Sequence, residues 1–283
     1  MKLKNNIEVS YNTLNESYEF DFSKAKKIGK VTSRMFPILL GKNIFNGIGY
    51  GVLDRVGFLE KEDIPPYYTV RGAVGEYLVN LFIIETYKKK SVDIVTKCFT
   101  PAMVNYDMFP KNDKFGGIVD IGISSPTDYR AVVEVKSKSL KDYDKIAVKK
   151  EPNEEEVLQG KQLAFLSSVP KLLMAFIFFN ENQESNLKAL VPTIKDVYNF
   201  DVKTLVEGLR WSAKDFQIAI LPYKIDREQI ANEMEKSYET LHRIVKLGSI
   251  SKMHFNADER QYLNDLANYE ERKPIATSDD LPF

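Results

Sequence analysis

Eight consecutive apolar residues, Leu172 to Phe179 (LLMAFIFF), constrain this chain more than any other segment. The run falls far short of the ~20 residues that cross a bilayer. It does not alternate, so it reads as a strand buried on both faces, and such a strand needs cover on each side. The neighbouring segments supply both partners and cover. Val70 to Tyr87 reads as a helix with an apolar majority, Val92 to Thr100 as a strand, and Gly117 to Ile123 (GIVDIGI) as a strand that follows Gly116. Ser125 to Asp128 is a turn, and Ala131 to Lys136 (AVVEVK) is the second arm of a hairpin. Glu154 to Ser168 is a helix that stops before Pro170, and Phe216 to Leu221 is a shorter strand. Asp226 caps a helix running to about Gly248, with Gln229 at the capping-box position and an apolar stripe of Ile230, Met234, Tyr238, Leu241 and Val245. Residues 23–46 read as a short helix and loops. The expected fold is α/β (α+β), a mixed central sheet flanked by helices. One domain is expected over 1–268, with a core at 70–180, a C-terminal helix at 226–248 and a flexible acidic tail at 269–283.

Composition narrows the chemistry. The single cysteine, Cys98, excludes an internal disulfide framework and a cysteine zinc cluster. Only His242 and His254 are present, so any bound metal is expected to be a hard, oxygen-liganded ion. The opening MKLKNNIEVS lacks the apolar stretch of a secretion signal. With no membrane-spanning run, the expected location is a reducing cytoplasm. Net charge is +0, which argues against a general nucleic-acid coat protein. The charge is unevenly placed, however. Ser23 to Gly41 carries Lys24, Lys26, Lys27, Lys30 and Arg34 with no acid, and lysines outnumber acids from Ser137 to Lys150. Such stretches suit a DNA-gripping cleft, although either one alone reads more simply as solvated surface.

Two strands carry acids where the pattern demands apolar residues. A carboxylate in such a place costs several kcal/mol unless it is paired or bound to metal. On AVVEVK the period of two puts Glu134 and Lys136 on one face, with Val133 and Val135 on the other. On IVDIGI, Asp120 shares its face with Ile118 and Gly122. If the strands pair, two carboxylates and an ammonium converge. Two carboxylates, a backbone carbonyl and waters make a fair magnesium site, beside which a lysine can orient or deprotonate water. The alternative is a buried Glu134–Lys136 ion pair next to an unrelated Asp120. Glu76, in RGAVGEY, shares a helix face with Gly72, Ala73 and Asn80, with Gly75 at its edge. Small residues there would let the helix pack tightly while the carboxylate reaches a shared site. Gln159, Gln162, Leu163 and Leu166 fall on one face of the 154–168 helix.

The order Gly72-x-x-x-Glu76, Gly117-x-x-Asp120, Glu134-x-Lys136 and then a glutamine-bearing helix resembles the RecB-like branch of the PD-(D/E)XK nucleases. The segments KIGKVTSR (27–34), LLGKN (39–43), EVKSKSLKD (134–142) and LPYKIDREQI (221–230) are similar to the YqaJ-type, lambda-exonuclease-like viral recombinase family. The resemblance spans about residues 23–248. It implies a restriction-endonuclease-like core and a magnesium-dependent exonuclease of duplex DNA, working 5′ to 3′ in phage recombination or replication, with manganese substituting for magnesium. A structure-specific or site-specific endonuclease on the same core and a non-cutting DNA-end binding module are the alternatives. Carried over by residue, Asp120, Glu134 and the Val135 carbonyl hold the metal, with Glu76 an outer or water-mediated ligand. Lys136 is the catalytic lysine and Gln159 the helix glutamine. Lys27 and Ser33 meet a terminal phosphate, with Arg34 and Lys138 also at the DNA. Lys27 stands where the family has arginine, and Leu163 where many relatives have tyrosine. The resemblance also implies a ring-shaped trimer and a single-strand annealing protein as partner.

The segment Asp279, Asp280, Leu281, Pro282, Phe283 resembles the acidic tip of bacterial single-stranded-DNA-binding proteins. The aromatic ring, its neighbouring acids and the stiff proline suit a docking peptide. This resemblance implies partners that read that tip: helicases, primosome proteins or recombination proteins.

Overall fold

A computed structural model describes residues 1–25, 27–61, 64–124 and 131–268. The turn expected at 125–128 and the tail at 269–283 lie outside the described residues. In chain order the strands and helices are β1 (Val9–Asn12), β2 (Ser17–Phe20), β3 (Val31–Thr32), α1 (Met35–Leu39), α2 (Ile48–Arg55), α3 (Pro66–Lys89) and β4 (Val95–Cys98). They continue with β5 (Phe115–Gly116), β6 (Ile121–Ser124), β7 (Ala131–Ser139), α4 (Glu154–Leu166), β8 (Lys171–Phe179), α5 (Glu181–Leu190) and α6 (Val202–Gly208). The last are β9 (Gln217–Lys224), α7 (Arg227–Leu247), β10 (Ser249–Ser251) and α8 (Ala257–Leu266). The described residues gather into two compact units. Among the described residues the first unit takes 1–29, 38–60 and 239–268; the second takes 30–37 and 61–238.

The second unit is built on a five-stranded sheet of order β4-β6-β7-β8-β9. β7 and β8 are parallel over nine residue pairs, Ala131↔Lys171 to Ser139↔Phe179, while the other neighbours are antiparallel. The expected mixed sheet flanked by helices is therefore present. Residue parity sorts the two faces. Val133 and Val135 of β7, with Leu173, Ala175, Ile177 and Phe179 of β8, pack with Val70, Val74 and Leu78 of α3. Val132, Leu172, Met174, Phe176 and Phe178 pack with Val157, Leu163 and Ala164 of α4. Cover on both faces is why LLMAFIFF has no polar position.

Two glycines set how closely the helices approach. A Cβ at Gly75 of α3 would stand 2.2 Å from Ser137 Oγ and 3.0 Å from Ile177 Cγ2. At Gly160 of α4 it would lie 2.8 Å from Leu172 Cδ1. Gly72 has no such constraint: a Cβ there meets nothing within 4 Å. Of the small residues expected to allow tight packing, Gly75 does so and Gly72 does not.

Some boundaries differ from expectation. The strand expected from Gly117 begins at Ile121, and Phe115–Gly116 instead pairs in parallel with Val31–Thr32. The chain passes between the two pairings at Gly117, whose φ of +156° is open to glycine. Asp120 thus precedes the strand rather than lying within it. The strand expected over 92–100 is confined to Val95–Cys98, and β9 extends past Leu221 to Lys224. The Asp226 cap forms, with Gln229 N–H donating to Asp226 Oδ1 at 3.0 Å. The Gln229 Nε2 donates forward to Glu233 Oε1 at 3.2 Å, and among the described residues no bond joins its Oε1 to the Asp226 N–H. On α7, Ile230, Met234, Leu241 and Ile244 are buried, while Tyr238 and Val245 are only partly covered.

The first unit carries the antiparallel sheet β1-β2-β10. Tyr18 of β2 is buried and donates to Asn264 Oδ1 at 2.7 Å, and its ring meets Phe255 edge-on at 5.4 Å. Gly47 N–H donates to Glu259, which also closes the capping box of α8 with Asn256.

Candidate active site

The site grows from β7. Its parity turns Glu134, Lys136 and Lys138 to the α4 face, and α4 answers with Glu156 and Gln159, three positions apart on one helix face. Lys136 Nζ donates to Glu134 Oε1 at 2.8 Å and to Gln159 Oε1 at 2.9 Å. Lys138 Nζ donates to Glu156 Oε1 at 2.6 Å. Asp120 is brought to the same place because the β6–β7 register, Ile121↔Val133, sets it level with Glu134. Its Oδ2 accepts the Val135 N–H at 2.7 Å, and its own carbonyl accepts the Phe99 N–H at 3.1 Å. Glu76 comes from α3, held close to the sheet by Gly75. Ser137 Oγ donates to Arg71 O at 3.2 Å, a further tie between β7 and that helix.

These groups sense one another. Burial first, then the Glu134 and Glu76 charges, hold the Asp120 carboxyl well above the usual carboxylate range; Lys136 and the Val135 amide oppose this. Burial and the Glu134 charge push Glu76 up to about 7, against the pull of Lys136. Burial alone would lower the Lys136 ammonium, but Glu134, Asp120 and Glu156 outweigh it and raise that group above the ordinary lysine value. Cys98, at the end of β4, is pushed up to about 11 by burial and by Glu76 and Asp120, so its thiol keeps its proton. Lys136 is therefore a fixed cation and a donor. It can orient water or an oxyanion, whereas accepting a proton would first require it to lose one.

The donor set fits a hard divalent cation. Asp120 Oδ1 and Glu134 Oε2 make no hydrogen bond among the described residues, while the second oxygen of each is anchored. Among the described residues no three His, Cys, Asp or Glu side chains form a ready-made ligand cage. Magnesium does not require one, since it commonly takes one or two carboxylates with waters and substrate phosphates. Burial first, and then the neighbouring carboxylates, raise Asp120 and Glu76, and the Lys136 charge offsets this only in part. Val135 enters the site through its N–H, which fixes Asp120.

The remaining sequence candidates are placed as follows. Ser33 lies beside the Asp120 segment, its Oγ 3.5 Å from a Cβ at Gly117. Arg34 is exposed. Lys27 is exposed and belongs to the first unit. Lys138, expected at DNA, is engaged with Glu156. Gln162 is fully buried and donates to Val31 O at 3.1 Å, which ties α4 to β3. It supports the scaffold, while Gln159 reaches Lys136. Asp279 to Phe283 lie outside the described residues. Sequence reasoning missed Glu156, although an E-x-x-Q helix facing an E-x-K-x-K strand contains the signal. It also missed Asp107, which accepts from Lys30 Nζ at 2.7 Å and from Phe109 N–H at 2.9 Å and so pins the loop before β5.

No family model and no curated protein matches the chain. Among solved structures it is similar to an alkaline exonuclease from Laribacter hongkongensis, at 13% identity and a TM-score of 0.46, over 80% of this chain and 93% of that one. It is also similar to a phage-related exonuclease from Haemophilus somnus 129PT, at 12% identity and a TM-score of 0.49, over 78% and 95%. The Laribacter enzyme in complex with dAMP is similar at 12% identity and a TM-score of 0.43, over 86% and 96%. Likeness at this level assigns no chemistry.

Proposed function

We propose that this chain is a divalent-metal-dependent deoxyribonuclease that hydrolyses phosphodiester bonds of duplex DNA from an end. The observation that carries this reading is the Lys136 ammonium, held at 2.8 Å by Glu134 and at 2.9 Å by Gln159, with the Asp120 carboxylate anchored alongside. A structural ion pair needs neither the glutamine nor a second crowded acid. Asp120 and Glu134 would hold magnesium, or manganese in its place, with Glu76 acting through water. The cation supplies charge neutralisation at the phosphate and lowers the pKa of bound water. Glu134 and Gln159 fix the Lys136 ammonium, which stabilises charge developing on the phosphate oxygens. The Val135 N–H fixes the Asp120 side chain, so the acid presents one oxygen without rearrangement.

The finer reading is 5′ to 3′ resection for phage recombination or replication. It includes a trimeric assembly and a single-strand annealing protein as partner, and it rests on the order of the sequence motifs. One experiment tests the core claim: end-labelled linear duplex and covalently closed circular duplex, each with magnesium, calcium or EDTA. The expected result is mononucleotide release from the linear substrate with magnesium alone, an intact circle, and calcium supporting binding without turnover. A cut circle would establish an endonuclease. Binding with no cleavage of either substrate would establish a non-cutting DNA-end module.

A further inference from the structure

The first unit contains a basic hollow that the catalytic reading does not use. Lys4, Lys24, Lys27 and Arg55 line one cavity of about 440 Å³, with Asp54 the one acid among the described lining residues. The four cations come from three separate stretches of chain. Charge is thus gathered by the fold and not merely by the local lysine run.

The partners of these groups show what kind of anion the hollow can take. Arg55 is engaged by Asp54, its Nε donating to Oδ2 at 2.8 Å. The Gly29 N–H is satisfied by Arg55 O at 2.7 Å. Lys4 Nζ donates to Gly57 O, and Lys24 stands 3.9 Å from a carboxylate of Glu8 whose side chain is 92% exposed. Lys27 has no protein partner among the described residues. A terminal phosphate monoester is best held by a free guanidinium fork or by converging backbone amides, and this hollow offers neither. What remains is a set of lysine ammoniums on flexible stems, point charges with no preferred orientation. Those suit the single negative charge of a phosphodiester, where lysines supply affinity and register but no end recognition.

We infer that this hollow seats an internal backbone phosphate of duplex DNA, so that Lys27 meets the strand along its length instead of marking its 5′ end. The inference rests on DNA being the substrate, as read above, and not on cleavage. The test is binding of the full chain to duplex DNA in EDTA, by fluorescence anisotropy, across about 50 to 200 mM salt. Unmodified protein is compared with Lys4→Ala/Lys24→Ala/Lys27→Ala, with the corresponding triple arginine variant, and with Lys27→Ala alone. The triple alanine variant should flatten the slope of log affinity against log salt by about 1 for each phosphate it no longer neutralises. The flattening should be equal on 5′-phosphorylated, 5′-hydroxyl and closed circular duplexes. The arginine variant should keep the slope. Lys27→Ala, which breaks no hydrogen bond among the described residues, should flatten it in part. An unchanged slope in both alanine variants overturns the inference, and so does a weakening confined to 5′-phosphorylated ends. Binding that behaves as expected in a protein that cuts nothing would sink the nuclease reading and leave this seat standing. Cleavage with an unchanged slope would do the reverse.

Discussion

Gly72 and Gly75 lie one turn apart on α3, and alanine at each moves stability in opposite directions. At Gly72 the new methyl meets nothing within 4 Å, so only the backbone gain remains, about 1 kcal/mol of helix propensity. At Gly75 the same gain is offset twice. The methyl would sit 2.2 Å from Ser137 Oγ, so that hydroxyl must swing away and lose its bond to Arg71 O, about 1 kcal/mol. It would also press on Ile177 Cγ2 at 3.0 Å, an overpacking of about 1–3 kcal/mol. Gly75→Ala should therefore destabilise by about 1–3 kcal/mol and Gly72→Ala stabilise by up to about 1. Urea denaturation with an unchanged m-value reads both as shifts of midpoint. Because Glu76 follows Gly75, the Gly75 variant should also lose cleavage rate while Gly72→Ala keeps it. Adding Ser137→Ala to Gly75→Ala removes the nearest clash and should restore part of the stability, as coupled neighbours do. Equal midpoints for the two glycine variants would refute the close approach of α3 to β7.

Further outcomes follow from the site. Asp120→Ala, Glu134→Ala and Lys136→Ala should each lower the cleavage rate by a factor on the order of 10² or more with the fold retained by circular dichroism; undiminished cutting by the Glu134 variant removes the assignment. The folded chain keeps a proton on Glu76 up to about 7, against an ordinary value of 4.5. The folded state then binds more protons than the unfolded one in that window, so metal-free stability should fall as pH rises through it. Glu76→Gln should flatten this trend in melting temperatures measured in EDTA, and an unchanged slope would show that Glu76 is not crowded. Removing Leu281 to Phe283 should leave cutting of naked duplex unchanged and abolish capture of the helicase, primosome or recombination proteins that read an Asp-Asp-Leu-Pro-Phe tip; equal capture with and without those residues would refute docking.

Where local pattern determines structure, the sequence is enough. Alternation in AVVEVK puts Glu134 and Lys136 on one face, and the unbroken LLMAFIFF run marks the strand covered on both sides. Alternation in GIVDIGI places Asp120 mid-strand, and there the pattern misleads. What stops the strand at Ile121 is a distant partner, the Val31–Thr32 pairing of β5, which no local pattern reveals. Gln159 and Gln162 lie three positions apart and cannot be separated by periodicity. The structure separates them by what each faces, Lys136 for one and Val31 O for the other. In the sheet of the first unit, the β2–β10 pairing leaves no trace in the sequence pattern, since both strands are short and they meet across most of the chain.

The division of the first unit among three stretches of chain has a consequence for synthesis. Tyr18 waits for Asn264, 246 positions later, before its hydroxyl finds the partner it has in the folded protein. At roughly 5–20 residues per second, ribosomal delivery leaves the β1–β2 hairpin without its third strand for roughly ten seconds or longer. During that interval its edge is open to pairing with other chains. The second unit is complete by Tyr238, and its earliest strand, β3, waits only for β5. A chain released at that point would contain all five strands of the larger sheet, while its N-terminal hairpin would still lack β10.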